Sequence, residues 1–175
     1  PETVYNIAIE VINMGKELEF KLAAANDTVL DCLLGDPETA ARMEGPIVRT
    51  PMETTYFDTE TNAFRTNHWT LRRRQEGSRS VVCVKTPQPE PFARGEWEVE
   101  SAYLDEALPK LAALGAPQEI AALQPDALAP ICGASFTRIT AELRLSENTS
   151  CMICGDVGDL TGGGRTALLC ELELE

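Results

Sequence analysis

The sequence predicts an α+β domain, an antiparallel β-barrel of about eight strands with helices packed outside it. Three observations predict this. Near the start, side-chain alternation puts Glu17, Glu19 and Lys21 on one face of a strand and Leu18, Phe20 and Leu22 on the other. At the end, Glu171, Glu173 and Glu175 share a face, with Leu172 and Leu174 behind them. Between these ends, further alternating runs are joined mostly by short turns, which makes neighbouring strands antiparallel. A strand with a charged front and an apolar back suits the wall of a barrel with a polar lumen that binds metal.

The chain of 175 residues is one domain's worth of sequence. No apolar run approaches the roughly 20 residues of a membrane-spanning helix, and no signal-peptide pattern is present. A net charge of −13 argues against a nucleic-acid surface that works by general electrostatics. It is compatible with a small anionic ligand held by inward-facing basic residues. The six cysteines are scattered through a chain that needs no staples, which points to reduced thiols and a cytoplasmic protein. Met14-Gly15-Lys16 has the form of a start, so residues 1–13 are expected to be an extension and residues 14–175 the domain. The sequence stops inside a strand pattern, so the domain is expected to continue past Glu175.

Taken in order, Asn26 or Asp27 can cap a helix carrying Val29, Leu30, Leu33 and Leu34. Gly35-Asp36-Pro37 interrupts it, and a second short helix is expected to reach Met43. Residues 53–58 are rich in β-branched and aromatic side chains and predict a strand, followed by a polar loop through Asn67. Residues 68–74 and 79–85 flank Gly77-Ser78 as a hairpin with Arg72 and Arg74 on one face. Its second arm ends at Lys85, and Val82 and Val84 face the other way. Pro87, Pro89 and Pro91 mark a loop. Next, Arg94, Glu96, Glu98 and Glu100 alternate with Trp97 and Val99. Leu104, Leu108, Leu111 and Leu114 form the stripe of an amphipathic helix ending at Gly115. A short helical piece over 119–123 precedes strands expected at 136–145, 150–156 and 165–175. In the first of these Arg138, Glu142 and Arg144 share a face.

Any one such strand reads as an ordinary sheet with one wet face. Taken together, the charges segregate: Arg72, Arg74, Lys85 and Arg138 fall on some strands, and Glu17, Glu19, Glu171 and Glu173 on others. Arginine and lysine hold phosphate oxygens, and paired carboxylates hold Mg²⁺ or Mn²⁺. Like charges facing one lumen should repel until a ligand arrives. His68, the single histidine, reads as a surface or packing residue. Cys151 and Cys154 lie three apart on a strand and so face opposite ways, which argues against a zinc site.

The run Glu17-Leu18-Glu19-Phe20-Lys21 resembles the ExExK motif that opens the CYTH domain, the triphosphate tunnel metalloenzymes. The resemblance continues in order through residues 55–59, Leu71-Arg72-Arg73-Arg74, Lys85, Arg94-Gly95-Glu96, residues 136–138 and the closing residues 170–175. It implies an eight-stranded antiparallel tunnel that binds a small-molecule triphosphate and Mg²⁺ or Mn²⁺. Members resembling this chain hydrolyse inorganic triphosphate; others hydrolyse thiamine triphosphate, cyclise ATP or act on the 5′ phosphate of RNA. By position, Glu17, Glu19, Glu171 and Glu173 match metal ligands, and Lys21, Arg72, Arg74, Lys85 and Arg138 match phosphate holders. Arg94 and Glu96 match a further lumen pair. Either Glu171 or Glu173 would act as the catalytic base. The sequence departs from the family at Met152, where relatives carry an acid. The expected activity is therefore metal-dependent triphosphate hydrolysis. The alternatives are an adenylate cyclase of the same fold and a non-catalytic module that binds polyphosphate or a nucleotide.

Overall fold

The computed structural model describes residues 16–18, 20–89 and 93–175, with the backbone alone at 16–18 and 93. Residues 1–13, Glu19 and Pro91 therefore lie outside the described residues, as do the side chains of Glu17 and Leu18. The elements in order are β1 (Lys16–Leu18), β2 (Phe20–Ala23), α1 (Asp27–Gly35), α2 (Pro37–Arg42), β3 (Met43–Thr59), α3 (Ala63–Thr66) and β4 (Thr70–Glu76). They continue with β5 (Arg79–Pro87), β6 (Ala93–Glu100), α4 (Leu104–Ala113), β7 (Leu128–Ser146), β8 (Thr149–Gly162) and β9 (Arg165–Leu174).

All the strands belong to one sheet, in the order β1-β6-β5-β4-β3-β7-β8-β9-β2, and every pairing is antiparallel. β1 bonds to β6 at one edge and β2 to β9 at the other, yet one residue separates β1 from β2 in the chain. A single pass thus bridges both edges, so the nine hydrogen-bonded segments amount to eight passes of a curled sheet. This is the antiparallel tunnel architecture expected from the sequence, and it leaves few open edges to aggregate.

Strand lengths differ from expectation. β3 begins at Met43, ten residues before the predicted start, and runs through two prolines. A register shift between Glu44 and Val48 lets Pro46 sit in a bulge. Pro51 precedes Met52, the first residue paired with β4, so its missing N–H costs nothing on that side. β7 likewise starts at Leu128 instead of 136. Local turn signals lost to long-range pairing with β3 and β8. Pro87 ends β5, paired with Arg94, instead of starting a loop. α3 falls within the predicted polar loop, because the buried Asp58 accepts hydrogen bonds from the backbone N–H of Phe64 at 2.9 Å and Arg65 at 3.1 Å. Asn26 occupies the N-cap of α1 without a side-chain cap, whereas Asp36 caps α2 through Glu38 and Thr39.

The main core lies outside the barrel. Leu71, Val82, Val84 and Val99 bury their side chains against Leu108 and Leu111 of α4 and Ile120 of a following 3-10 turn, with Trp97 packed beside them. The predicted leucine stripe thus does the covering. Gly155 lets α1 approach β8, since a Cβ there would lie 3.0 Å from Leu30 Cδ1. Phe20 and Leu22 depart from the expected packed side: they are 56% and 55% exposed at the rim of the central cavity. A smaller apolar set, Met52, Ala134, Phe136 and Leu169, packs on the inner side.

None of the six cysteines is in a disulfide. Burial pushes the Cys83 thiol up, and burial followed by Glu175 pushes Cys154 up to about 12. Because the thiolate is the nucleophile, iodoacetamide at neutral pH should label exposed Cys32 and Cys132 in the native protein and spare Cys83 and Cys154. Peptide mass mapping reads this directly. Fast labelling of Cys83 would show that burial in the cavity wall does not hold its thiol protonated and covered.

Candidate active site: the charged lumen

The alternation that sends valines outward sends charges inward. A cavity of about 990 Å³ is lined by Lys21, Arg72, Arg74, Lys85, Arg94 and Arg138, and by Asp156, Glu171 and Glu173. The fold therefore brings together every basic residue singled out from the sequence as a phosphate holder, and with them the carboxylates of β9. Glu17 lies on β1 opposite Arg94 in the ladder.

The expected segregation into repelling sets is corrected by the pairing of strands. Glu173, 4% exposed, lies 2.5 Å from Lys21 Nζ and accepts from Arg138 at 2.7 Å. Arg138 also forms a two-pronged pair with Asp156 at 2.8 and 2.6 Å, and Lys21 reaches Glu171 at 3.1 Å. Across the lumen, Arg72 contacts Glu96 at 3.4 Å and Glu98 at 3.3 Å, and Lys85 contacts Glu96 at 3.3 Å. Strand neighbours set these partners: β4, β5 and β6 are adjacent, as are β7, β8 and β9. The resting lumen is largely self-neutralised. Burial alone lowers the Lys21 and Arg138 pKa values, but the hydrogen bonds and charges of Glu173 and Glu171, and of Asp156 and Glu173, outweigh it and hold both groups charged.

Two arginines retain capacity for an anion. Arg72 Nε is buried with no hydrogen-bond partner among the described residues, a donor that a phosphate oxygen would satisfy. Arg74 is buried, and its carboxylate contact is the distant Glu76 at 3.8 Å. Its other contacts are Thr54 Oγ1, at 3.3 Å, and the Phe136 ring, 5.8 Å away. Burial, then repulsion from Arg72 and Arg138, depresses its pKa. An anion beside Arg74 would relieve both penalties.

Glu171 and Glu173 offer oxygen donors on one wall of the lumen, the chemistry that Mg²⁺ or Mn²⁺ prefers. Among the described residues, the group compact enough to hold a metal is Cys83, Glu96 and Glu98. Its thiol is a softer ligand than a hard divalent ion prefers, so the group suits such an ion less well than the all-oxygen β9 wall, although cations contact the carboxylates of both sets. Cys151 and Cys154 pair with Leu143 and Thr140, on opposite faces of β8.

Sequence reasoning missed Asp156 as a partner of Arg138, although its face on β8 was readable by alternation. It also missed Tyr56, which pairs with Arg72 in the ladder and lines the cavity; His68, read as a surface or packing residue, is exposed and is also among the lining residues. Met152 is 36% exposed on the same strand face as Asp156 and is not among the residues lining the cavity.

A barrel whose central cavity is lined with cations and carboxylates suits a known class, and the chain belongs to it: the CYTH domain matches residues 15–175. No curated protein gives a significant match. Among solved structures, a candidate adenylate cyclase from Bacillus halodurans aligns at 17% identity and TM-score 0.54, over 91% of this chain and 80% of that one. A candidate adenylyl cyclase from Hippeastrum with a dominant triphosphatase activity aligns at 18% identity and TM-score 0.55, over 89% and 77%. A candidate adenylate cyclase from Vibrio parahaemolyticus aligns at 16% identity and TM-score 0.53, over 93% and 76%. At these identities the likeness is one of fold. Among the described residues, no helix is long and apolar enough to cross a membrane.

Proposed function

We propose that this protein is a cytoplasmic hydrolase that cleaves the terminal phosphoanhydride bond of a triphosphate within its lumen, with Mg²⁺ or Mn²⁺ as cofactor. The observation that carries the reading is the unpartnered Arg72 Nε beside the carboxylate-poor Arg74, facing the same cavity as Lys21, Lys85 and Arg138. Five cations lining one cavity match a chain of phosphate oxygens. Glu171 and Glu173, together with Glu17 and Glu19 of the ExExK motif, would hold the divalent ion. When bound, that ion supplies charge neutralisation of the phosphate oxygens.

The chain's own residues account for the remaining work. Arg72, Arg74, Lys85 and Arg138 fix the phosphates in line and stabilise charge that builds up in the transition state. Arg94, at the barrel end, extends the cationic path. Glu171, more exposed than Glu173 and held by one lysine contact instead of two cations, is the better placed base to take the proton of an attacking water. Inorganic triphosphate, incubated with Mg²⁺ or Mn²⁺, should release orthophosphate. With ATP, cyclic AMP and pyrophosphate as products would instead establish a cyclase. Tight triphosphate binding without turnover would establish a binding module.

A further inference from the structure

Arg74 is anchored unlike the other buried cations of the lumen. Arg72, Lys85 and Arg138 each contact a carboxylate at 3.4 Å or less. Arg74 is 7% exposed, yet the carboxylate it meets, Glu76, stands 3.8 Å from Nη1, beyond hydrogen-bond distance. Instead its Nε donates to the buried Thr54 hydroxyl at 3.3 Å, and its guanidinium carbon lies over the Phe136 ring, 5.8 Å from the centroid. Both of these anchors are uncharged.

The sheet accounts for the arrangement. Thr54 on β3 pairs with Arg74 on β4 on one side and with Ala134 on β7 on the other. Phe136 is the next residue of β7 on that face, paired with Met52. To reach the ring, the Arg74 side chain crosses β3 and so lies along the inner wall, over two strand spacings of about 4.8 Å each. Met52, Ala134 and Leu169 pack with Phe136 and fix the ring. The residue beneath the crossing must be short, and it must accept from Nε. Threonine does both, with a χ1 stiffened by its branch.

An uncharged anchor has a chemical consequence. A cation paired with a carboxylate gains a phosphate only by giving up that partner, whereas Arg74 keeps its hydroxyl and its ring. Without them, Glu76, two residues along β4 at the strand's end, would close to an ion pair and draw the guanidinium out of the lumen. We propose that Thr54 and Phe136 are positioning residues that hold Arg74 on the inner wall, away from Glu76, as the receptor that takes a phosphoryl group before the lumen's ion pairs open. This rests on the triphosphate reading and adds the residues that prepare the site for it.

The test uses Thr54→Val, which removes the acceptor but keeps the size, Thr54→Ser, which restores the acceptor, and Phe136→Leu. Calorimetry with Mg²⁺ and the non-hydrolysable imido analogue of inorganic triphosphate gives affinities for each, alone and combined with Arg74→Gln. Thr54→Val should weaken binding about tenfold, the usual loss for a hydrogen bond to a charged group. Phe136→Leu should weaken it about threefold, the loss of an exposed-strength cation–π contact, and Thr54→Ser should stay near wild type. Neither loss should appear in the Arg74→Gln background, where a purely structural role would persist. Nitrogen-edited NMR of the ligand-free protein should show an Arg74 Nε–H protected from exchange in wild type and Thr54→Ser and unprotected in Thr54→Val. Wild-type affinity in Thr54→Val, or the same loss with Arg74→Gln present, would overturn the positioning alone. Failure of the wild type to bind the analogue would overturn the triphosphate reading and the receptor together.

Discussion

Replacing Glu173 by Gln should reduce triphosphate turnover by about a hundredfold or more and lower stability in the absence of ligand by about 1–3 kcal/mol. Two effects coincide at this residue. As a proposed metal ligand its charge is irreplaceable, because Gln offers a weaker oxygen to a hard cation. As a structural anion, buried Glu173 balances both Lys21 and Arg138. Removing one member of a buried pair typically costs about 3–5 kcal/mol, because a stranded charge remains. The smaller figure here reflects the half-exposed Lys21 and the Asp156 contacts that Arg138 keeps. Glu17→Gln and Glu19→Gln should match the loss of turnover. Turnover at the wild-type level in Glu173→Gln, at saturating Mg²⁺ and Mn²⁺, would remove the β9 wall from the chemistry.

That residue also shows how much of the molecule was legible in advance. Alternation alone placed Glu171 and Glu173 on one face and Leu172 on the other, and the same rule sent Val82 and Val84 outward and Arg72 and Arg74 inward. Period-2 patterning reports a side chain's face reliably because one buried side penalises every slip. It does not report which strands are neighbours. The partners of Arg72 on β6 and of Arg138 on β8 and β9 follow from sheet order, which no local signal carries. Hence the sequence suggested repelling blocks of like charge, whereas the fold interleaves them as ion pairs. Strand ends failed for a related reason. Pro46 and Pro51 are strong local breakers, but a bulge and one-sided pairing accommodate both within β3. His68, read as a surface or packing residue, is exposed, and its place on the cavity lining depends on a four-residue helix that the buried Asp58 holds in place.

The interleaved pairs predict how ligands arrive. Triphosphate alone can reach Arg72 Nε and Arg74, but to engage Lys85 and Arg138 it must pull them from Glu96, Asp156 and Glu173 and leave those carboxylates stranded. A divalent ion alone must strand the cations instead. Added together, they allow an exchange in which carboxylates turn to the metal and cations turn to phosphate, so no charge is left unpaired. Ligands that bind the folded form raise its stability with concentration, so thermal melts should show strong synergy. Mg²⁺ or inorganic triphosphate alone should shift Tm little. Both together should raise it by several degrees, the effect of about 2–3 kcal/mol on a domain of this size. Arg72→Gln separates this from simple relief of repulsion. If like charges dominated the empty lumen, removing Arg72 would raise the Tm of the unliganded protein. Because Arg72 balances Glu96 and Glu98, the variant should instead melt lower when empty and lose most of the joint shift. Additive shifts in the wild type would show that the ion pairs do not gate binding. A joint shift of the same size in Arg72→Gln would place the phosphates away from Arg72 and its unpartnered Nε.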